Sequence, residues 1–179
     1  MDNTFLFCNS ASLIPGSGSI EFIWKNRAEQ NNHWIKPIFV ENEEYNKFIE
    51  EAKALSEQLN YDFSDLSSSE KVIVLRYLKA ASMSSSLYVI GYITQNKEIV
   101  KDLIGWPAMR LAWDNNFNKS SLYVYEQNIQ KWMVYDKEQN CFIEYDDSIP
   151  PRPEKNWFGL GSSKSNNTIA KEVIFSLFK

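Results

Sequence analysis

The sequence predicts a single α+β domain spanning residues 1–179: a mainly antiparallel sheet with a C-terminal meander, packed against three to four helices. Three observations predict it. Residues 43–59 place apolar side chains at helical spacing, residues 121–145 hold three short runs separated by polar turns, and no repeat or break in composition divides the chain. At 179 residues, one core can bury roughly 70% of the unfolded surface.

Residues 4–8 read as a strand, the breaker-rich Ile14-Pro15-Gly16-Ser17-Gly18 stretch as a loop, and residues 19–24 as a second strand. Residues 34–40 read as extended, and Pro37, which cannot donate to a ladder, confines them to a sheet edge or a loop. In residues 43–59, Tyr45, Phe48, Ile49, Ala52, Leu55 and Leu59 form one stripe, while Glu43, Lys47, Glu50, Glu51, Lys53 and Glu57 cover the other side. Asn42 is the expected N-cap. Ser67 and Glu70 make a capping box for a second helix, whose apolar residues on nearly every side predict a central position. Residues 87–93 admit either state: β-branched and aromatic residues favour a strand, while the preceding Ser and Ala run favours close helix packing. The helix is the reading adopted. Residues 96–104 read as a short helix with Asn96 as cap, ended by Gly105 and Pro107.

After Asn115-Asn116, residues 121–126, 131–136 and 141–145 predict the meander, with Asn128-Ile129 as a two-residue loop. The period of two puts Tyr123, Tyr125, Trp132, Val134, Ile143 and Tyr145 on one face and Leu122, Val124, Met133, Tyr135 and Phe142 on the other, with Glu126 opposite Lys131. Pro150 to Pro153 read as a rigid connector. Asn167 or Thr168 is expected to cap a terminal helix over residues 167–178. Gly159-Leu160-Gly161-Ser162-Ser163-Lys164-Ser165 lacks the Gly before Lys that a phosphate loop requires, so it reads as a flexible connector, with anion binding at the start of the terminal helix as the alternative.

Composition excludes several functions. With 19 basic and 23 acidic residues the net charge is −4, which argues against a partner that is nucleic acid or anionic membrane. No run approaches the roughly 18 apolar residues of a membrane span, and the Phe5–Cys8 stretch is shorter than a signal-peptide core, so the expected location is cytoplasmic. Cys8 and Cys141 are widely separated and flank no histidine, which predicts reduced, buried thiols, no zinc and no cofactor. The single histidine, His33, sits in a polar connector and reads as a loop residue.

The remaining signals are aromatic and acidic. The sequence has 6 Trp, 9 Tyr and 11 Phe, more large rings than a core of this size requires, and such rings dominate protein interfaces. Between Glu41 and Glu70 nine carboxylates face two lysines, an excess suited to steering a basic partner. The expected function is therefore a non-catalytic protein-binding domain, a bacterial immunity or inhibitor protein that occludes a basic toxin or enzyme. Its partner-binding candidates are Glu43, Glu50, Glu51, Glu57, Tyr123, Tyr125 and Trp132. The alternatives are a hydrolase or nuclease-like enzyme using carboxylates among Glu50, Glu51, Asp114, Glu144, Asp146 and Asp147, and a phage protein that blocks a host defence system. Asn, Lys and Ile usage points to an AT-rich bacterial or phage genome.

Overall fold

The computed structural model describes residues 2–14, 19–114 and 121–179; residues 15–18 of the loop expected over 14–18 lie outside them. In chain order the elements are β1 (Thr4–Phe7), α1 (Ser19–Gln30), β2 (Trp34–Pro37), α2 (Asn42–Leu59), α3 (Ser68–Met83), β3 (Ser86–Gly91), α4 (Gly105–Trp113), β4 (Ser121–Glu126), β5 (Lys131–Asp136), β6 (Cys141–Glu144), β7 (Asn156–Gly161) and α5 (Asn167–Ser176). The strands form one sheet in the order β2-β1-β7-β3-β4-β5-β6. The fold is α+β with a mixed sheet, and the expected antiparallel majority is corrected. Pairings β2-β1, β1-β7, β7-β3 and β3-β4 are parallel, and only β4-β5 and β5-β6 are antiparallel. The physical reason is the connections: α1, the α2-α3 pair and α4 each return the chain to the same end of the sheet, which forces parallel pairing.

Helices cover both faces of the sheet. On one face α1 and α5 pack over Phe5, Phe7, Tyr88, Ile90, Tyr123, Trp132 and Trp157. On the other, α2, α3 and α4 pack over Leu6, Leu87, Val89, Leu122, Val124, Met133, Phe158 and Leu160. Strands covered on both sides read as continuous apolar runs, and this is why residues 87–90, expected as helix, are the central strand β3.

Residues 19–24 are helical where a strand was expected. Ile20, Trp24 and Ala28, at spacing i, i+4, i+8, are all buried on one stripe of α1. The alternation Ile20-Phe22-Trp24 hid that stripe. The helix expected at 96–104 is absent: Ile93 and Val100 form an isolated bridge closing a loop, and Gly105, expected as a C-cap, instead begins α4 with Pro107 in its first turn. The helices α2, α3 and α5 and the meander follow expectation closely. Ser67 and Glu70 form the capping box of α3, Glu41 rather than Asn42 caps α2, and Asn166 rather than Asn167 caps α5, accepting from the amides of Thr168 and Ile169. Pro37 lies on the edge strand β2. In the meander Glu126 faces Lys131 as expected, with a four-residue connection between them rather than a two-residue loop.

Gly159 and Gly161, read as part of a flexible connector over residues 159–165, lie within strand β7, and packing explains them. A Cβ at Gly159 would lie 2.4 Å from the Trp24 ring, and one at Gly161 would lie 2.5 Å from Ile20. Bare backbone at these two positions lets α1 seat directly on β7, and the Trp24 indole N–H donates to the Leu160 carbonyl at 3.3 Å. Gly159→Ala should therefore destabilise the fold by about 1–3 kcal/mol through overpacking. Adding Trp24→Leu to it should cost less than the sum of the two single changes, as read by urea unfolding, because the smaller side chain removes the clash.

Candidate functional site

The connections of the parallel strands single out one edge of the sheet. β7 continues into α5 on the aromatic face, while its neighbour β3 continues toward α4 on the aliphatic face. Where adjacent parallel strands send their chains to opposite faces, their carboxyl ends leave a crevice between the departing loops. Three loops leave the sheet at this edge: residues 8–14 after β1, residues 92–104 after β3 and residues 162–166 after β7.

Polar side chains hold these loops in place. Ser162 donates its hydroxyl to the Asp102 carboxylate at 2.6 Å, joining the end of β7 to the turn before α4. Ser165 donates to the Ile90 carbonyl at 3.1 Å and accepts from the Gln127 amide nitrogen at 2.6 Å, while the Gln127 carbonyl accepts the Asn166 N–H. Ser19, at the start of α1, donates to Asn167 Oδ1 at 3.3 Å, so the first turns of α1 and α5 meet at this edge.

Beneath the β1–α1 turn lies Glu21, whose side chain is buried. Its carboxylate accepts from the amides of Cys8 at 2.8 Å and Ser10 at 3.0 Å and from the Ser10 hydroxyl at 3.1 Å. The turn is tight: Asn9, between them, takes the left-handed conformation with φ 55°. On the side of α3, Arg76 donates to the Cys8 carbonyl at 3.2 Å. Burial raises the Glu21 pKa from its ordinary 4.5 to about 7, against the lowering effect of the donors around it. Burial, followed by the charge of Glu21, also pushes the Cys8 thiol well above its ordinary value, so it is a poor nucleophile. Tyr77 is raised in the same way by burial first and by Glu21 second.

The residues expected to bind a partner do not converge. Those of α2 lie on the aliphatic-face side of the sheet, and Tyr123, Tyr125 and Trp132 on the aromatic face. Glu43, Glu50 and Glu57 are exposed, and Glu50 lies 3.7 Å from Lys53. Glu51 is half-buried in an ion pair with Arg110 of α4, which makes it a tie between helices. Tyr123 and Trp132 are buried, packed on Tyr88, and Tyr125 is half-buried against Trp132. The enzyme candidates Asp146 and Asp147 are exposed in the turn after β6, and Glu144 pairs with Lys131 at 2.7 Å.

His33 lies in the connector before β2, as expected of a loop residue, and is buried there. Its Nδ1 accepts the indole N–H of Trp157 at 3.0 Å, and burial, then the Arg152 charge, hold its pKa below 6.5. Of the cysteines expected to be buried, Cys8 is and Cys141 is half-buried. Among the described residues no His, Cys, Asp and Glu side chains group as metal ligands.

Two features escaped the sequence reading. Glu21 sat in a segment read as a strand, and Ser162 to Ser165 in one read as a connector. The legible signal for the second was Trp157-Phe158 before the glycines and a capped helix after them, which together spell strand, loop, helix. Comparison with protein-family models, with curated proteins and with solved structures finds no match.

Glu21 makes stability depend on pH. Its folded pKa lies above the unfolded one, so its contribution is complete below pH 4.5 and is lost as pH rises through 7. Relative to wild type, Glu21→Gln should gain up to about 3 kcal/mol between pH 4.5 and pH 8. Paired urea titrations at the two pH values read this, and a constant difference between the proteins would contradict it.

Proposed function

We propose that the chain binds a small polar metabolite in the crevice at the carboxyl ends of β1, β7 and β3. The observation that carries this reading is the divergence of the chain from β7 and β3 to opposite faces, since layered folds of this kind take their ligands at that point. The loops there are braced from within by Glu21, Asp102 and Ser165, which supports a preformed site. Both carboxylates are spent on holding loops, which favours recognition over acid–base chemistry.

Thermal unfolding against a panel of nucleotides, sugar phosphates and amino acids tests the reading. A ligand at a hundredfold excess over its Kd adds about 2.7 kcal/mol, roughly 5–10 °C in Tm for a domain of this size. Amide exchange should slow at residues 8–10, 92–95 and 162–166. A panel without a stabilising compound, or protection confined elsewhere, rejects the reading.

A second reading keeps the function suggested by composition: a bacterial immunity or inhibitor protein, or a phage protein aimed at a host defence, that occludes a basic toxin or enzyme in the cytoplasm. Its support is the outer face of α2, where Glu43, Glu50 and Glu57 remain exposed. Exposed helix charges contribute only a few tenths of a kcal/mol to folding, so Glu50→Lys with Glu57→Lys should leave the fold intact. Association with a basic partner should slow and lose salt dependence. An unchanged association rate removes α2 as the docking face.

A further inference from the structure

The loop between β3 and α4 has a second side, away from the Ser162–Asp102 contact. There it forms, with the β4–β5 turn, a cleft of about 300 Å³ lined by Thr94, Lys97, Lys101, Glu126 and Asn128 over an apolar floor that includes Ile93 and Met133. The cleft lies at the carboxyl ends of β3 and β4.

The loop is held rigidly for an exposed segment. Thr94 N–H donates to the Ile99 carbonyl, Lys97 N–H to the Thr94 carbonyl and Ile99 N–H to the Thr94 hydroxyl, at 2.8, 2.8 and 3.1 Å. The Lys97 carbonyl in turn accepts the Phe142 N–H at 2.7 Å, which ties the loop to edge strand β6. Within this frame Lys97 has φ 62°, a conformation that costs a side-chain-bearing residue roughly 1 kcal/mol or more. Strain of this kind persists only where the surroundings impose it.

Neither Lys97 nor Lys101 makes an ion pair with a described residue. The one carboxylate within the cleft pairs with neither: Glu126 is buried and its oxygens accept from Asn128 Nδ2 at 3.2 Å and the Ile129 amide at 3.1 Å. Two ammonium groups and one carboxylate thus line one small cleft and leave it with a net positive charge. Lysines act as point charges suited to a tetrahedral anion, and no arginine fork, the usual partner of a planar carboxylate, lines this cleft. The apolar floor suits a carbon skeleton, and Glu126 retains lone pairs for a ligand hydroxyl.

We propose that this cleft binds a hydroxylated organic monophosphate, with Lys97 and Lys101 on the phosphoryl group and Glu126 on a hydroxyl. The inference rests on the carboxyl edge being the ligand side of the sheet. The test is a ¹H–¹⁵N titration of the whole chain with ribose 5-phosphate, with free ribose and inorganic phosphate as controls at matched ionic strength. Saturable shifts are expected at Thr94, Lys97, Lys101 and Asn128, with ribose 5-phosphate binding more tightly than either control. Lys97→Gln with Lys101→Gln, both at exposed positions, should preserve the spectrum and weaken binding by about tenfold or more. Equal affinity in the variant, equal affinity for inorganic phosphate, or no saturable shift in the cleft overturns the inference. Shifts confined to residues 8–10 and 162–166 discard the cleft while supporting the neighbouring crevice, so the two readings fail separately.

Discussion

The contact of α1 with β7 is the constraint from which the remaining architecture follows. Two strand residues without side chains let Trp24 and Ile20 rest on the backbone of a central strand, and the Trp24 indole closes on the Leu160 carbonyl. Seated there, Trp24 meets Trp157 edge-on with centroids 5.9 Å apart and packs on Tyr88 at the same separation. Tyr88 stacks on Tyr123 and Trp157 reaches Phe5 and Phe178, so the rings of β1, β3, β4, β7 and the C-terminus form one body. Two of these rings have partners for their polar tips: Tyr88 donates to the Pro151 carbonyl and Trp157 to His33. This seating also brings Glu21, three residues before Trp24, under the turn that follows β1.

The acidic excess of residues 41–70 divides into two roles once the helices are packed. Glu44 bonds Lys79 of α3 at 2.6 Å and Glu51 pairs with Arg110 of α4, so two carboxylates of α2 stitch it to its neighbours at half-buried positions. The Glu44 pKa is lowered chiefly by its hydrogen bond to Lys79. Glu43, Glu50 and Glu57 stay outward. A one-dimensional count of charge cannot separate ties between helices from a solvated face, since the difference lies in which residue of another helix stands opposite.

The β3–α4 connection serves both candidate binding regions. One side of it is anchored to β7 through Asp102 and Ser162; the other carries Lys97 and Lys101 and is tied to β6 through Phe142. Asp102, like Lys97, takes a left-handed conformation, with φ 69°. A loop strained at two positions and bonded to strands on both sides holds its polar groups in a fixed arrangement, a requirement for recognising a small ligand without a large ordering cost.

The sequence by itself determined those elements whose signal is local: α2 with its stripe, the Ser67-Glu70 box of α3, the register of the meander, Pro37 at an edge, and the capped helix α5. These depend on periodicity and capping, which involve residues only a few positions apart. Only the tertiary structure decided that residues 87–91 are a strand, because a strand buried on both faces has no alternation to read, and that residues 19–24 are helical, because their stripe extends beyond the alternating stretch. It alone decided that Gly159 and Gly161 lie within a strand, since what excludes a Cβ there is a tryptophan 135 residues away in sequence from Gly159, counted as 159 minus 24. The grouping of the candidate-site residues is likewise a tertiary matter. Glu21, Asp102 and Ser162 are distant along the chain and carry no motif, and the parallel order β1-β7-β3 is what delivers them to one edge of the sheet.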